Sequence, residues 1–512
     1  MKNFLSKFLI GLLLVVGLAL LYLTNAGILS SDKPYIYELS NELPAANPLV
    51  AFVNVNVVPM DSERVLENQT VIVRDGTIET IGNGEQVQVP DEALIVDGQG
   101  KYLMPGLVDM HVHIQFEDDM LLWVANGVTS VRNMWGHTGK MLQFGFPDQL
   151  ALRKQIEQGT LFGPTIYTTG PSMEGSPSFH PMAEVFDTPE AARESVAWQK
   201  ARGYDFIKVY DHLSPEVYQA ILGAARENDM PVVGHVPLAV GLDNVLAGGQ
   251  QTIEHLSGYV DPDTVEFIIP RDQLDEYAVK TREARVWNVV TLTEYPRSKE
   301  TPEGIERLKT QPGTVYYSPA WKLFAPFFYK MSGDAHTYPG ADYPQRIAAL
   351  NREIVQALHQ ADAGILLGTD AAQAYNIPGF SIHEELVMLV EAGLSPYEAI
   401  EAGTHDAALA LGHLDEFGKV SEGKRADLLL LDANPLDDVA NASKISGVMV
   451  RGRWLPQTEL QSMLDGLKDS FEPTLLERLW PLLLLVSATL AAIVSNRSSR
   501  SRHQSSGEEG LE

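Results

Sequence analysis

Pro105-Gly106-Leu107-Val108-Asp109-Met110-His111-Val112-His113 alternates apolar and polar side chains from Val108 onward. Successive side chains of a strand point to opposite faces, so Asp109, His111 and His113 share one face and Val108, Met110 and Val112 the other. The aliphatic face is built to pack against helices. Two imidazoles side by side at the end of such a strand form a pincer for one metal ion. A His-x-His pair by itself is weak evidence, since chance pairs are common. The Pro-Gly start and the apolar alternation make this one far more specific.

Outward from this stretch, short apolar strands alternate with helical stretches, the texture of a parallel sheet covered by helices. Eight strands are expected, near residues 107–113, 128–133, 164–169, 205–210, 231–236, 252–255, 288–293 and 364–369. Eight such units over this length suit an α/β fold of the (β/α)8 TIM type, assigned here to residues 105–414. No short internal repeat competes with that reading. Period-two stretches flank it on both sides. Residues 49–57, 71–78 with an Asp75-Gly76 turn, and 93–96 precede the barrel, and residues 427–432 and 448–454 follow it. One small β-sandwich domain drawn from both flanks, residues 48–104 and 415–458, is the economical account. Residues 294–343 form a long, proline-containing stretch with Tyr316, Tyr317, Trp321, Phe324, Phe327, Phe328 and Tyr329. A loop of this length is functional or disordered, and its aromatics argue against disorder. It is read as a substrate-side lid, with a packed insertion as the alternative.

Further candidates for chemistry fall at the ends of these strands. In Phe206-Ile207-Lys208-Val209-Tyr210 the aliphatic neighbours face the helices and Lys208 faces the interior. A buried ammonium is costly unless paired or altered. Either a carboxylate balances it or carbon dioxide converts it to a carbamate, and Lys208 by itself leaves both open. His235 ends Pro231-Val232-Val233-Gly234-His235, and His255 ends Thr252-Ile253-Glu254-His255, one short β/α repeat later. Asp370 closes Leu366-Leu367-Gly368-Thr369-Asp370, where a helix N-cap is the ordinary alternative. A lone histidine at such a position is more often a satisfied polar residue than a ligand. All these positions lie where TIM-barrel active sites sit, and chance agreement of the whole set is far less probable than each ordinary reading alone.

The ordered set His-x-His, Lys, His, His and Asp on strands one, four, five, six and eight resembles the binuclear metal-dependent amidohydrolase superfamily. Gly234-His235-Val236-Pro237 and Ile253-Glu254-His255-Leu256 are similar to its imidazolonepropionase-like and Xaa-Pro dipeptidase-like branch. The resemblance runs from about residue 49 to 455. It implies two divalent metal ions, zinc first by ligand type. His111, His113 and Asp370 would hold one, His235 and His255 the other. Carbamylated Lys208 and a hydroxide would bridge them. Asp370 would take and return the proton, Tyr210 would polarise the substrate carbonyl, and His180, in the loop after strand three, would contact substrate. Asp109 is a candidate to orient the imidazoles. The implied reaction is hydrolysis of a C–N bond in an amide, a cyclic amide or a dipeptide. Lactone, ester or phosphotriester hydrolysis on the same site is a rival. So is a non-catalytic membrane scaffold or receptor, since fold alone does not fix function.

The 512-residue chain has a net charge of −29 and no cysteine. The charge argues against a nucleic-acid partner, because phosphate recognition needs a basic face. The missing thiols exclude disulfides and Cys-ligated zinc. Both ends are apolar. Residues 1–30, with Lys2 and Lys7 ahead of an uncharged run, are expected to be a membrane anchor, with a cleaved signal peptide as the alternative. Residues 459–475 are expected to form a juxtamembrane helix, residues 476–495 a second membrane helix, and residues 496–512 a polar tail with Arg497, Arg500 and Arg502. Basic residues favour the cytoplasmic side. The expectation is a two-pass protein with both termini cytoplasmic and the catalytic domain outside, taking a small-molecule substrate.

Overall fold

The computed structural model describes residues 34–43, 46–84, 86–136, 146–178, 182–298, 300–317, 322, 340–373 and 375–472. Contacts divide the chain into two units, and the larger, residues 36–314 and 329–464, holds both sheet systems.

The flanking strands form one eight-stranded sheet. Its order is Arg453–Pro456, Ile445–Val450, Leu428–Leu431, Tyr102–Pro105, Leu49–Val57, Leu66–Arg74 and Thr77–Asn83, with Leu94–Asp97 paired alongside Leu49–Val57. The two flanks meet where Tyr102–Pro105 runs antiparallel to Leu428–Leu431, in register from Leu428 opposite Pro105 to Leu431 opposite Tyr102. The Asp75-Gly76 turn has positive φ at both residues, 49° and 78°, which matches the twist of the strands it joins. The sheet curls over a dry core that includes Val50, Phe52, Val71, Ile78, Leu428 and Met449. Trp454, at one edge, packs edge-on against Phe52 with ring centroids 5.0 Å apart. Closure is tight at the far edge, where a Cβ on Gly452 would lie 2.4 Å from Gly76 Cα.

A single residue, Gly106, separates this sheet from the first barrel strand, and a Cβ there would meet Thr129 Oγ1 at 2.2 Å. The barrel strands are Leu107–Val112, Val128–Asn133, Thr165–Thr168, Ile207–Val209, Val232–Gly234, Thr252–Glu254, Trp287–Val289 and Ile365–Leu366. Pairing between neighbours is parallel. Two single bridges complete the ring, Thr169 to Phe206 and Val112 to Ala371. Asp370 N–H donates to His111 O at 2.8 Å, so strands one and eight are joined at the level of the polar residues.

Other expectations require correction. Residues 294–343 are not irregular from the start, because helices Glu294–Ser298 and Pro302–Leu308 open the stretch. Trp321, Phe324, Phe327, Phe328 and Tyr329 lie outside the described residues. The membrane placement is withdrawn: among the described residues no helix is long and apolar enough to cross a membrane. The longest described helix drawn into the larger unit, Tyr343–Gln360, has 18 residues, but it is amphipathic and carries Arg346, Arg352 and Glu353. The segments 1–30 and 476–495, on which that placement rested, lie outside the described residues.

Gly452 has φ +77° and backbone as its nearest neighbour, which cannot move aside like a side chain. Gly452→Ala is therefore expected to destabilise the protein by about 1–3 kcal/mol. A denaturant midpoint equal to the parent's would show that this edge is not closed as described.

Candidate active site

The polar residues of the first strand are buried with no exposed surface at Asp109 and His111 and little at His113. His111 Nδ1 is 2.7 Å from Glu254 Oε2. A carboxylate only accepts, so Nδ1 carries the proton and Nε2 presents a lone pair. That lone pair faces Asp370 Oδ1 at 3.5 Å and Lys208 Nζ at 3.5 Å. His113 Nε2 is 2.8 Å from the same Asp370 oxygen. The ligand atoms of His111, His113 and Asp370 all lie within 4.8 Å of one another.

On the neighbouring strand ends, His235 Nδ1 is 2.7 Å from Asp211 Oδ1, while its buried Nε2 has no hydrogen-bond partner. His255 Nδ1 is 2.7 Å from Thr291 Oγ1. The His255 ring lies 4.4 Å from that of His111 and 5.1 Å from that of His235. Lys208 is buried on the fourth strand, and its nearest polar contact is a histidine nitrogen rather than a carboxylate. Tyr210 stacks on His235 with ring centroids 4.0 Å apart. The structure thus brings His111, His113, Lys208, His235, His255, Asp370 and Tyr210 together. His180 lies outside the described residues.

Burial sets the protonation states. It pulls His111 well below the ordinary imidazole pKa, aided by the Lys208 charge. His255 is driven down to about 3, and His113 is lowered against the pull of Asp370. Neutral imidazole is the form that binds metal. Burial opposes ionisation of Asp370, but His113, His255 and Lys208 outweigh it and hold the carboxyl below its usual value. Lys208 is pushed down to about 8, burial prevailing over Asp370 and Glu254. An unpartnered buried Nε2 on His235 and facing lone pairs on His111 and Asp370 are what a cation would satisfy. His111, His113 and Asp370 fit a metal ion.

Sequence reasoning missed the partners that hold these rings. Glu254 orients His111, and is itself bound by Arg132 Nη2 at 2.7 Å. Asp211 orients His235, and Thr291 orients His255. Asp109, expected to do this, instead accepts from Thr369 Oγ1 at 2.6 Å, Thr369 N at 3.0 Å and His111 N at 3.3 Å. It ties strand eight to strand one through the backbone and touches no imidazole nitrogen. The available signals were a charged Arg132 inside an expected barrel strand and a carboxylate beside each of Tyr210 and His255.

Imidazoles, a carboxylate and a buried amine at the C-terminal strand ends of a closed barrel define a hydrolase of the metal-assisted TIM-barrel class. The chain matches the amidohydrolase family over residues 102–455 and belongs to it. It is 25% identical to ochratoxinase of Aspergillus niger over 443 residues, covering 75% of this chain and 81% of that one. It is 25% identical to imidazolonepropionase of Geobacillus sp. (strain WCH70) over 424 residues, covering 76% and 90%. Its fold is also that of a Xaa-Pro dipeptidase solved with methionine bound in the active site, with a TM-score of 0.61 and 18% identity over 80% of this chain and all of that one. The chain is an enzyme and a hydrolase of C–N bonds, and the scaffold reading is set aside.

Burial lowers Lys208 from 10.5 to about 8 in the folded state. Between these values the unfolded chain holds more protons, so stability rises with pH across that window. Below about pH 8 the fold carries the full penalty of the buried charge. Metal-free Lys208→Met is expected to be more stable than the metal-free parent at neutral pH. That advantage should shrink as pH rises through the window. Urea midpoints at several pH values test this, and a gap independent of pH would contradict it.

Proposed function

We propose that this enzyme hydrolyses an amide bond in a small molecule carrying a bulky apolar group, such as an N-acyl amino acid, a cyclic amide or a dipeptide. The observation that carries the reading is Asp370, whose carboxylate approaches both His113 and the lone-pair nitrogen of His111 among neutral imidazoles. The apolar preference rests on Trp135, Phe146 and Met182, which pack together beside the cluster. Trp135 meets the His113 ring edge-on at 5.4 Å. Relatives named ochratoxinase and imidazolonepropionase agree with hydrolysis of small ring-containing compounds.

In this reading His111, His113 and Asp370 would hold one divalent ion and His235 and His255 a second, with Lys208, as its carbamate, completing the donor set. Zinc suits the donor set first, with manganese or iron next. Ions bound there supply Lewis acidity, acidifying water and polarising the scissile carbonyl. The depressed pKa of Lys208 leaves a share of neutral amine near neutral pH, the form that adds to carbon dioxide and releases a proton. Asp370, held ionised by its neighbours, takes the proton of the attacking water and gives it to the leaving amine. The Tyr210 hydroxyl, kept protonated by burial, donates to the substrate carbonyl oxygen. Asp211 keeps the His235 ring turned toward the same space. His180 is proposed to contact substrate.

The full-length chain, supplied with zinc and bicarbonate, is expected to turn over at least one class among dipeptides including Xaa-Pro, N-acyl amino acids and cyclic amides. Chelator should abolish turnover. Asp370→Asn should reduce it by about 10²–10⁴-fold, and Lys208→Ala should abolish it. Full activity in Lys208→Ala would sink this arrangement. Turnover confined to lactones or phosphotriesters would transfer the site to the rival bond class.

A further inference from the structure

Arg132 and Glu254 are fully buried charges that no step of the proposed chemistry uses. Burying two charges is favourable only when both are closely paired and their remaining hydrogen-bonding atoms are satisfied. Here they are. Arg132 Nη2 donates to Glu254 Oε1 at 2.7 Å, Nη1 to Thr252 Oγ1 at 3.3 Å and Nε to Met110 O at 2.7 Å. The Thr252 hydroxyl donates to the same Glu254 oxygen. The other oxygen, Oε2, is 2.7 Å from His111 Nδ1. A guanidinium on strand two thus fixes a carboxylate on strand six against the imidazole of strand one.

We propose that Arg132 and Glu254 act as a positioning pair that fixes His111 in the Nδ1–H tautomer, and so sets its strength as a metal ligand. The proposal rests on the reading of the cluster as a metal site. The reasoning is one of donor and acceptor count. With Oε1 claimed by a guanidinium and a hydroxyl, Oε2 is left as an acceptor only, and the ring proton must sit on Nδ1. Nε2 then keeps its lone pair on the side of Asp370 and Lys208. A carboxylate behind a ligating imidazole also raises its basicity.

The count makes an unusual forecast for Glu254→Gln. The Gln carbonyl oxygen will face the guanidinium and hydroxyl donors, so its NH2 will face His111 Nδ1. A donor there drives the ring proton to Nε2 and removes the lone pair. Replacing the guanidinium as well, in Arg132→Met with Glu254→Gln, frees the amide to turn its oxygen to His111 and restores the first tautomer. A merely structural role predicts the opposite order, since the double variant loses more contacts.

The experiment uses the full-length chain with 15N-labelled histidine and zinc titrated against a competing chelator. In the metal-free parent, the His111 signal, assigned by its loss in His111→Asn, should be that of the Nδ1–H tautomer. Zinc affinity should fall about 10–100-fold in Glu254→Gln and recover in large part in the double variant. An Nε2–H parent, an unchanged affinity in Glu254→Gln, or a double variant weaker than the single one would each overturn the proposal. The tautomer measurement on the parent stands even where a variant does not fold. A parent with the Nδ1–H tautomer that takes up no zinc would instead overturn the metal reading, and with it the affinity half of the proposal.

Discussion

A strand offers its interior face only every second side chain, and the barrel strands here are short, some of two or three residues. Several of the polar groups of this site lie at or just beyond strand ends, where regular alternation stops. The constraint is met by breaking the strands at their C-terminal ends. His255, Thr291 and Asp370 have φ of 59°, 43° and 58°, in the left-handed region that side chains with a Cβ rarely occupy. At Glu254-His255 the effect is direct. On a regular strand the two would face opposite ways, yet Glu254 reaches His111 Nδ1 at 2.7 Å and the His255 ring lies 4.4 Å from the same imidazole. Backbone strain at such positions persists only where its surroundings over-determine it. Those surroundings are visible: His255 is held by Thr291, and Asp370 is held through the backbone of His111.

The second requirement is charge balance out of water. Lys208, Arg132, Glu254, Asp109 and Glu385 are all buried beneath the site. All but Lys208 are answered locally. Asp109 accepts from Thr369 and from the His111 backbone, and burial still raises its pKa to about 7. Glu385, on helix Phe380–Glu391, accepts from Leu292 N and Thr293 N and is raised to about 8. It thereby pins the segment that follows strand seven, which carries Thr291. Burial lowers the pKa of His111, His113 and His255, and the Lys208 charge pushes each of them the same way.

These two requirements explain what could be read from the sequence. The eight strands and the pincer of His111 and His113 were legible because strand alternation is a local signal. So were Lys208, His235, His255 and Asp370, since each sits at a strand end. Glu254 was within a quoted motif but was assigned no role. Its partners are 143 residues away at His111 and 122 residues away at Arg132, and such pairings arise only when the barrel closes. Asp109 misled for the same reason: it shares the histidines' face, yet strand eight, 260 residues on, captures it first. The apolar termini gave a membrane reading that no described helix supports.

The groups that stand behind the imidazoles also differ from one side of the site to the other. The His111 side chain and its partner Glu254 are wholly sealed. The carboxylate behind His235 is not, since the Asp211 side chain remains 33% exposed. Tyr210, half-buried, stacks on that same ring. A metal position built on His111 is therefore fixed by a dry ionic network, where interactions are strong and little can rearrange. His235 is backed instead by Asp211, a carboxylate water can reach, although its own side chain, 9% exposed, is as enclosed as those of His113 and Asp370 at 8% and 9%.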